Sequence, residues 1–136
     1  MAAPFLGGRR RNTPGEYTDH MTIFDTSLET FEQDVLAASC DRPVLVDFWA
    51  EWCSPCLLIA PVLEHVIQDL AGTLGLAKLE VDQGDNMKLA GQHRVRGFPT
   101  VILFDGGQEA GRFSGARSRT QILTFIKDHV DIADPI

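Results

Sequence analysis

The chain has 136 residues, the usual size of one domain, so a single core should account for nearly all of it. Its 44% hydrophobic and 23% charged content excludes a disordered or low-complexity chain, and no apolar run approaches the roughly 20 residues of a membrane helix. A net charge of −7 argues against binding to nucleic acid, whose phosphates attract basic surfaces, and leaves proteins or small molecules as partners.

Residues 1–20 differ from the rest. Arg9, Arg10 and Arg11 stand among Pro4, Gly7, Gly8, Pro14 and Gly15 with no apolar period, the composition of a flexible extension. No apolar stretch follows the arginines as an export signal requires, so the cytoplasm is the expected compartment. A short strand is predicted over residues 21–24, and Thr26 with Glu29 has capping-box spacing for a helix reaching about Ser39. Leu28, Phe31, Val35 and Leu36 fall on its apolar face. After Pro43, residues 44–49 are rich enough in β-branched and aromatic side chains to form a buried strand, in which Asp47 is the anomaly.

A helix is predicted from Cys53 to about Ala71, with Leu57, Leu58, Ile59, Val62, Leu63, Val66, Ile67 and Leu70 apolar and a bend at Pro61. Residues 74–81 make a third strand carrying Lys78, and Asp82-Gln83-Gly84-Asp85-Asn86 turns the chain into a short helix ending near His93. Pro99 precedes a fourth strand at residues 100–104, and Asp105-Gly106-Gly107 turns it into an antiparallel fifth near residues 108–113. Ser118 with Gln121 caps a last helix that buries Ile122, Phe125, Ile126 and Val130. The order β-α-β-α-β-α-β-β-α gives an α/β fold, a mixed central sheet with helices on both faces. The domain should span residues 21–130, with a C-terminal tail at 131–136.

Three cysteines are too few and too odd in number for a disulfide scaffold, and Cys53 and Cys56 enclose only Ser54 and Pro55. At the start of a helix, free amide donors and the helix dipole stabilise a thiolate. Cys56 lies one turn on and on the same face, so the two sulfurs can pair reversibly. Pro55 fits the first turn, where its missing donor does no harm. Cys53 then acts as attacker and Cys56 as resolver of a mixed disulfide. A zinc site is the alternative, but it needs four ligands and only scattered His20, His65, His93 and His129 are at hand, so no metal is expected. Asp47, buried and unpaired, should have a raised pKa and trade a proton with Cys56 near neutral pH; an ion pair with Lys78 is the structural alternative.

Trp52-Cys53-Ser54-Pro55-Cys56 after Val46-Asp47-Phe48-Trp49-Ala50, with Gly97-Phe98-Pro99-Thr100 further on, resembles the thioredoxin family over about residues 21–130. The resemblance implies the thioredoxin fold and a protein-disulfide reductase. It makes Cys53 the nucleophile, Cys56 the resolving thiol, Asp47 the buried acid serving Cys56, and Lys78 the lysine near that acid. It makes Pro99 a cis-proline whose loop offers backbone groups to an extended substrate, and Trp52, Phe98, Gly115 and Ala116 an apolar docking rim. It also implies disulfide-containing protein substrates and a thioredoxin reductase drawing on NADPH, so that NADPH enters only indirectly. No cofactor is bound, and a monomer is expected. A client-binding module of chaperone type is the second function carried by the same resemblance.

Two positions depart from the family pattern: Ser54 replaces the usual glycine and Leu57 the usual lysine. Losing a nearby cation weakens thiolate stabilisation, while the Ser54 hydroxyl offers a hydrogen bond in return, so activity is expected but the redox potential is left open. Residues 82–86 read as a turn rather than a calcium loop, and His65 and His93 as members of solvated helix faces. Arg94 and Arg96 read as charged surface, with steering of an acidic partner toward Pro99 as the alternative. Cys40 reads as a small packed residue, with a regulatory thiol as the alternative.

Overall fold

A computed structural model of the chain describes residues 22–132. The expected extension at residues 1–20, the strand start at Met21 and residues 133–136 of the expected tail lie outside the described residues. The strands are β1 (Ile23–Asp25), β2 (Val44–Trp49), β3 (Gly75–Glu80), β4 (Thr100–Asp105) and β5 (Gln108–Ser114). The helices are α1 (Ser54–Asp69), α2 (Asn86–Gln92) and α3 (Arg119–His129), and a wide π-type helix at Glu32–Ala37 runs into a 3-10 turn at Ala38–Cys40. The sheet order is β1-β3-β2-β4-β5. The pairs β1–β3 and β3–β2 are parallel, while β2–β4 and β4–β5 are antiparallel. This is the mixed sheet expected from the order of elements.

Alternation along β2 divides the interior in two. Val44, Val46 and Phe48 enter one cluster with Phe31, Val35, Leu89, Ala90, Ile102 and Phe104, beneath the π-type helix and α2. Leu45 enters the other with Ile59, Leu63, Val66 and Ile67 of α1 and with Ile122 and Ile126 of α3. Helices therefore cover both faces. β2 is buried at every position before Trp49, which is why its sequence is an unbroken apolar run and why Asp47 stands out in it.

α1 passes through Pro61 without ending, because the buried residues on either side of the proline hold both halves against the sheet. The Ser118–Gln121 capping box forms as expected: Gln121 N donates to Ser118 Oγ at 3.1 Å, and Ser118 N donates to Gln121 Oε1 at 2.9 Å. The Thr26–Glu29 box does not form. Residues 28–30 are a turn, and the hydroxyl of Thr26 donates instead to Asp34 Oδ2 at 3.1 Å. The reason is non-local. Leu28 N, which a helix capped by Thr26 would have to satisfy in its first turn, donates to Asn86 Oδ1 at 2.8 Å. Asn86 also donates from Nδ2 to Glu80 O at 2.9 Å, so one buried amide ties three segments together. Phe31 and Val35 are still buried, and Leu28 and Leu36 pack at the edge of their cluster.

Candidate active site

The chain leaves β2 at Trp49, turns with Cys53 N donating to Ala50 O at 3.2 Å, and enters α1 with Cys53 as its N-cap. Cys53 keeps an extended backbone, and its Sγ accepts the Cys56 N–H at 3.2 Å, doing the work that a serine or aspartate oxygen does at other helix starts. Pro55 sits in the first turn. Cys53 and Cys56 are joined as a disulfide, with Cα atoms 5.2 Å apart, within the range such a bond spans. Both half-cystines are more enclosed than a helix start would suggest, Cys53 at 5% exposure and Cys56 at 1%. Ser54, Pro55 and Leu57 around them are exposed.

Asp47 lies on the face of β2 that Leu45 shares with α1. Its carboxyl is buried, and Oδ1 has no hydrogen-bond partner among the described residues. Trp49 Nε1, two positions along the same face, is likewise unpaired. Unsatisfied buried polar atoms are few in folded proteins, and here both belong to one face of one strand. Burial pushes the Asp47 pKa up from 3.8 to about 7, with Lys78 pulling it down and Glu64 adding to the rise. Lys78 is the register partner of Asp47 on β3, but its Nζ reaches Glu64 Oε2 at 3.0 Å and lies 5.8 Å over the Trp49 ring. The direct Asp47–Lys78 pair considered from sequence is not the one that forms.

Pro99 is buried, the Phe98–Pro99 bond is cis, and β4 begins at the next residue. Thr100 pairs with Phe48, so this loop lies beside the end of β2 from which the cysteine loop springs. Thr100 Oγ1 donates to Gly97 O at 2.7 Å, and Gly115 N donates to Pro99 O at 2.9 Å. Gly115 has φ +86°, a left-handed conformation that favours glycine. Trp52 is 64% exposed; its ring meets Phe98 edge-to-face at 5.9 Å, and its Nε1 donates to Asp82 Oδ2 at 2.6 Å. Ala116 is exposed on the loop that follows Gly115.

Several side chains differ from their sequence assignment. Leu57 and Leu58, read from the sequence only as apolar positions of the helix, are 53% and 68% exposed. His93 does not face solvent freely: its ring packs against Phe31 at 5.3 Å, Phe104 at 5.7 Å and Phe48 at 6.3 Å. Its spacing of one helical turn from buried Leu89 was the available signal. Burial lowers its pKa, Glu109 works against that, and Arg112 adds to it. Cys40 is exposed rather than packed. Asp82 stood only in the 82–86 turn and Glu64 in no motif, and their placement opposite Trp52 and Lys78 is what reveals them.

The Thioredoxin family model matches residues 22–128. A thioredoxin of Pseudomonas aeruginosa is 46% identical over 108 residues, covering 79% of this chain and 96% of that protein. One of Acidithiobacillus ferridurans is 43% identical, covering 76% of this chain and 93% of its own length. A bifunctional thioredoxin reductase/thioredoxin of Mycobacterium leprae is 45% identical over 101 residues, 74% of this chain and 21% of that protein. A paired-cysteine helix start on a five-stranded mixed sheet, matched along nearly the full length of the Pseudomonas aeruginosa and Acidithiobacillus ferridurans proteins, means that the chain belongs to the thioredoxin family of protein thiol-disulfide oxidoreductases.

Proposed function

We propose that the protein reduces disulfides of protein substrates, with Cys53 attacking and Cys56 resolving. The observation that carries this assignment of roles is the position of Cys53 at the N-cap of α1, where its sulfur already accepts the Cys56 N–H. A thiolate there gains from the same donor and from the positive end of the helix dipole. In the reduced protein the Cys53 thiolate attacks one sulfur of the substrate disulfide. A Cys53–substrate disulfide forms, and the other substrate sulfur leaves as a thiolate that takes a proton. Cys56 then loses its proton and attacks Cys53 Sγ, forming the Cys53–Cys56 bond and releasing the second substrate thiol. Two electrons and two protons pass from the dithiol to the substrate.

Asp47 is assigned as the base that receives the Cys56 proton, because a carboxyl with a pKa of about 7 can hold or release one at neutral pH. Lys78 is a positioning residue, tempering the rise in the Asp47 pKa while held by Glu64. Trp52, Phe98, Pro99, Gly115 and Ala116 form the surface that receives substrate, and Ser54 and Pro55 the loop between the sulfurs. Regeneration by a thioredoxin reductase is motivated by the Mycobacterium leprae relative that bears both names in one chain, and NADPH as the ultimate donor rests on the family resemblance alone. No helix among the described residues is long and apolar enough to cross a membrane. The same reading takes the chain as a cytoplasmic monomer without a bound cofactor, its domain at residues 21–130 lying between an extension at 1–20 and a tail at 131–136.

Insulin disulfide reduction, measured with a thioredoxin reductase and NADPH, tests the proposal. Wild type should turn over, and Cys53→Ser should be inactive. Cys56→Ser should accumulate a mixed disulfide with substrate, visible by mass. An active Cys53→Ser protein would remove the assignment.

A further inference from the structure

We propose that Arg94 and Arg96 form a cationic flank beside the Pro99 loop that selects disulfide-containing protein segments carrying Asp or Glu next to the attacked cysteine. The proposal deepens the dithiol reading of Cys53 and Cys56 and rests on it.

The charge of the domain is segregated around the site. Although the chain carries −7, residues 86–104 contain no Asp or Glu, and neither do residues 115–127. These two acid-free stretches meet where Gly115 N bonds Pro99 O at 2.9 Å. On the Trp52 side, by contrast, Glu51 and Asp82 are exposed, and Asp82 holds the indole. The rim is therefore polarised, acidic beside Trp52 and basic beside Pro99.

Arg94 and Arg96 are both exposed, and among the described residues neither guanidinium has a hydrogen bond or ion pair. Every other described arginine is engaged. Arg42 donates to Gly72 O, Arg112 pairs with Glu109, Arg119 pairs with Asp69, and Arg117 lies 5.2 Å over the Phe113 ring. Arg94 has φ +60° because it closes the end of α2: Val95 N donates to Ala90 O at 2.9 Å and Arg94 N to Gly91 O at 3.0 Å, the hydrogen bonds of a left-handed helix cap. Helix capping accounts for the backbone of Arg94 but gives neither guanidinium a partner, and an acidic segment seated on the Pro99 loop would supply one. Two unpaired cations at the mouth of a site raise the encounter rate of acidic partners, and salt screens the effect.

The test uses three disulfide-linked peptides of one sequence, differing only in two residues beside the cysteine: Asp, Ser or Lys. The pre-reduced full-length protein reduces each at low ionic strength and again in about 0.5 M salt, where the screening length falls to a few Å. At low salt the Asp peptide should show a kcat/KM about tenfold above the Lys peptide, with Ser between, and high salt should bring the three together. Arg94→Gln with Arg96→Gln should slow the Asp peptide by most of that factor and leave the Ser peptide within about twofold. Arg94→Gly, which suits the left-handed backbone, carries the same test if the glutamine variant folds poorly. Equal rates for the three peptides with wild type, an unchanged Asp-to-Lys ratio in the variants, or variants that slow all three alike would each overturn the proposal. A wild type that reduces none of them overturns the dithiol reading and this inference with it.

Discussion

Asp47→Asn should make the oxidised protein's stability markedly less sensitive to pH. In the folded chain the Asp47 carboxyl titrates near 7 because burial disfavours its charge; its ordinary value is 3.8. Between those values the folded state holds a proton that the unfolded state has released. Stability from this group is therefore complete below 3.8, falls as pH rises, and is lost above about 7. The separation corresponds to about 4 kcal/mol, each tenfold change in proton affinity being worth about 1.4 kcal/mol. Lys78 does not cancel the cost, since its ammonium is drawn to Glu64 at 3.0 Å. Asparagine nearly preserves the shape and removes the titration. Any fixed cost of burying its amide is the same at every pH and drops out of the comparison. The assay is guanidinium denaturation of both oxidised proteins, followed by far-ultraviolet circular dichroism from about pH 4 to about pH 8. The advantage of the variant over wild type should grow by about 4 kcal/mol across that range. A difference that stays constant within about 1 kcal/mol would refute the burial account of Asp47.

Asn86→Ala should cost about 3 kcal/mol, measured by the same denaturation, because Leu28 N and Glu80 O each lose a partner; a loss below about 1 kcal/mol would mean that water replaces the amide easily. His93→Phe should flatten the acid side of the stability curve. The His93 pKa is lowered chiefly by burial, against Glu109 and with Arg112. Its neutral ring therefore contributes stability above its ordinary value of 6.5, which is lost as pH falls through the folded value. An acid limb identical in wild type and variant would contradict that.

Local signals carried most of the architecture. A run such as residues 44–49 needs only its own apolar content to be read as a buried strand, and Ser118 with Gln121 caps α3 through contacts within one turn. The Gly106-Gly107 turn is equally self-contained, because both residues take positive φ. Cys53, Pro55 and Cys56 could be placed at a helix start for the same reason. Thr26 and Glu29 had an equally good local signal, and it failed, because Asn86 from a distant segment takes the N–H such a helix would use.

What the sequence alone determined was the order of strands and helices, the redox pair and its place at the head of a helix, since these depend on residues within a few positions of one another. Only the tertiary structure decided the partner of each polar group: Glu64 rather than Asp47 for Lys78, Asp82 for Trp52, Gly115 for Pro99, an aromatic nest for His93. Parallel crossovers bring together side chains far apart in the chain. Burial and pairing there set proton affinity and charge, and no local pattern encodes which residues those crossovers will make neighbours.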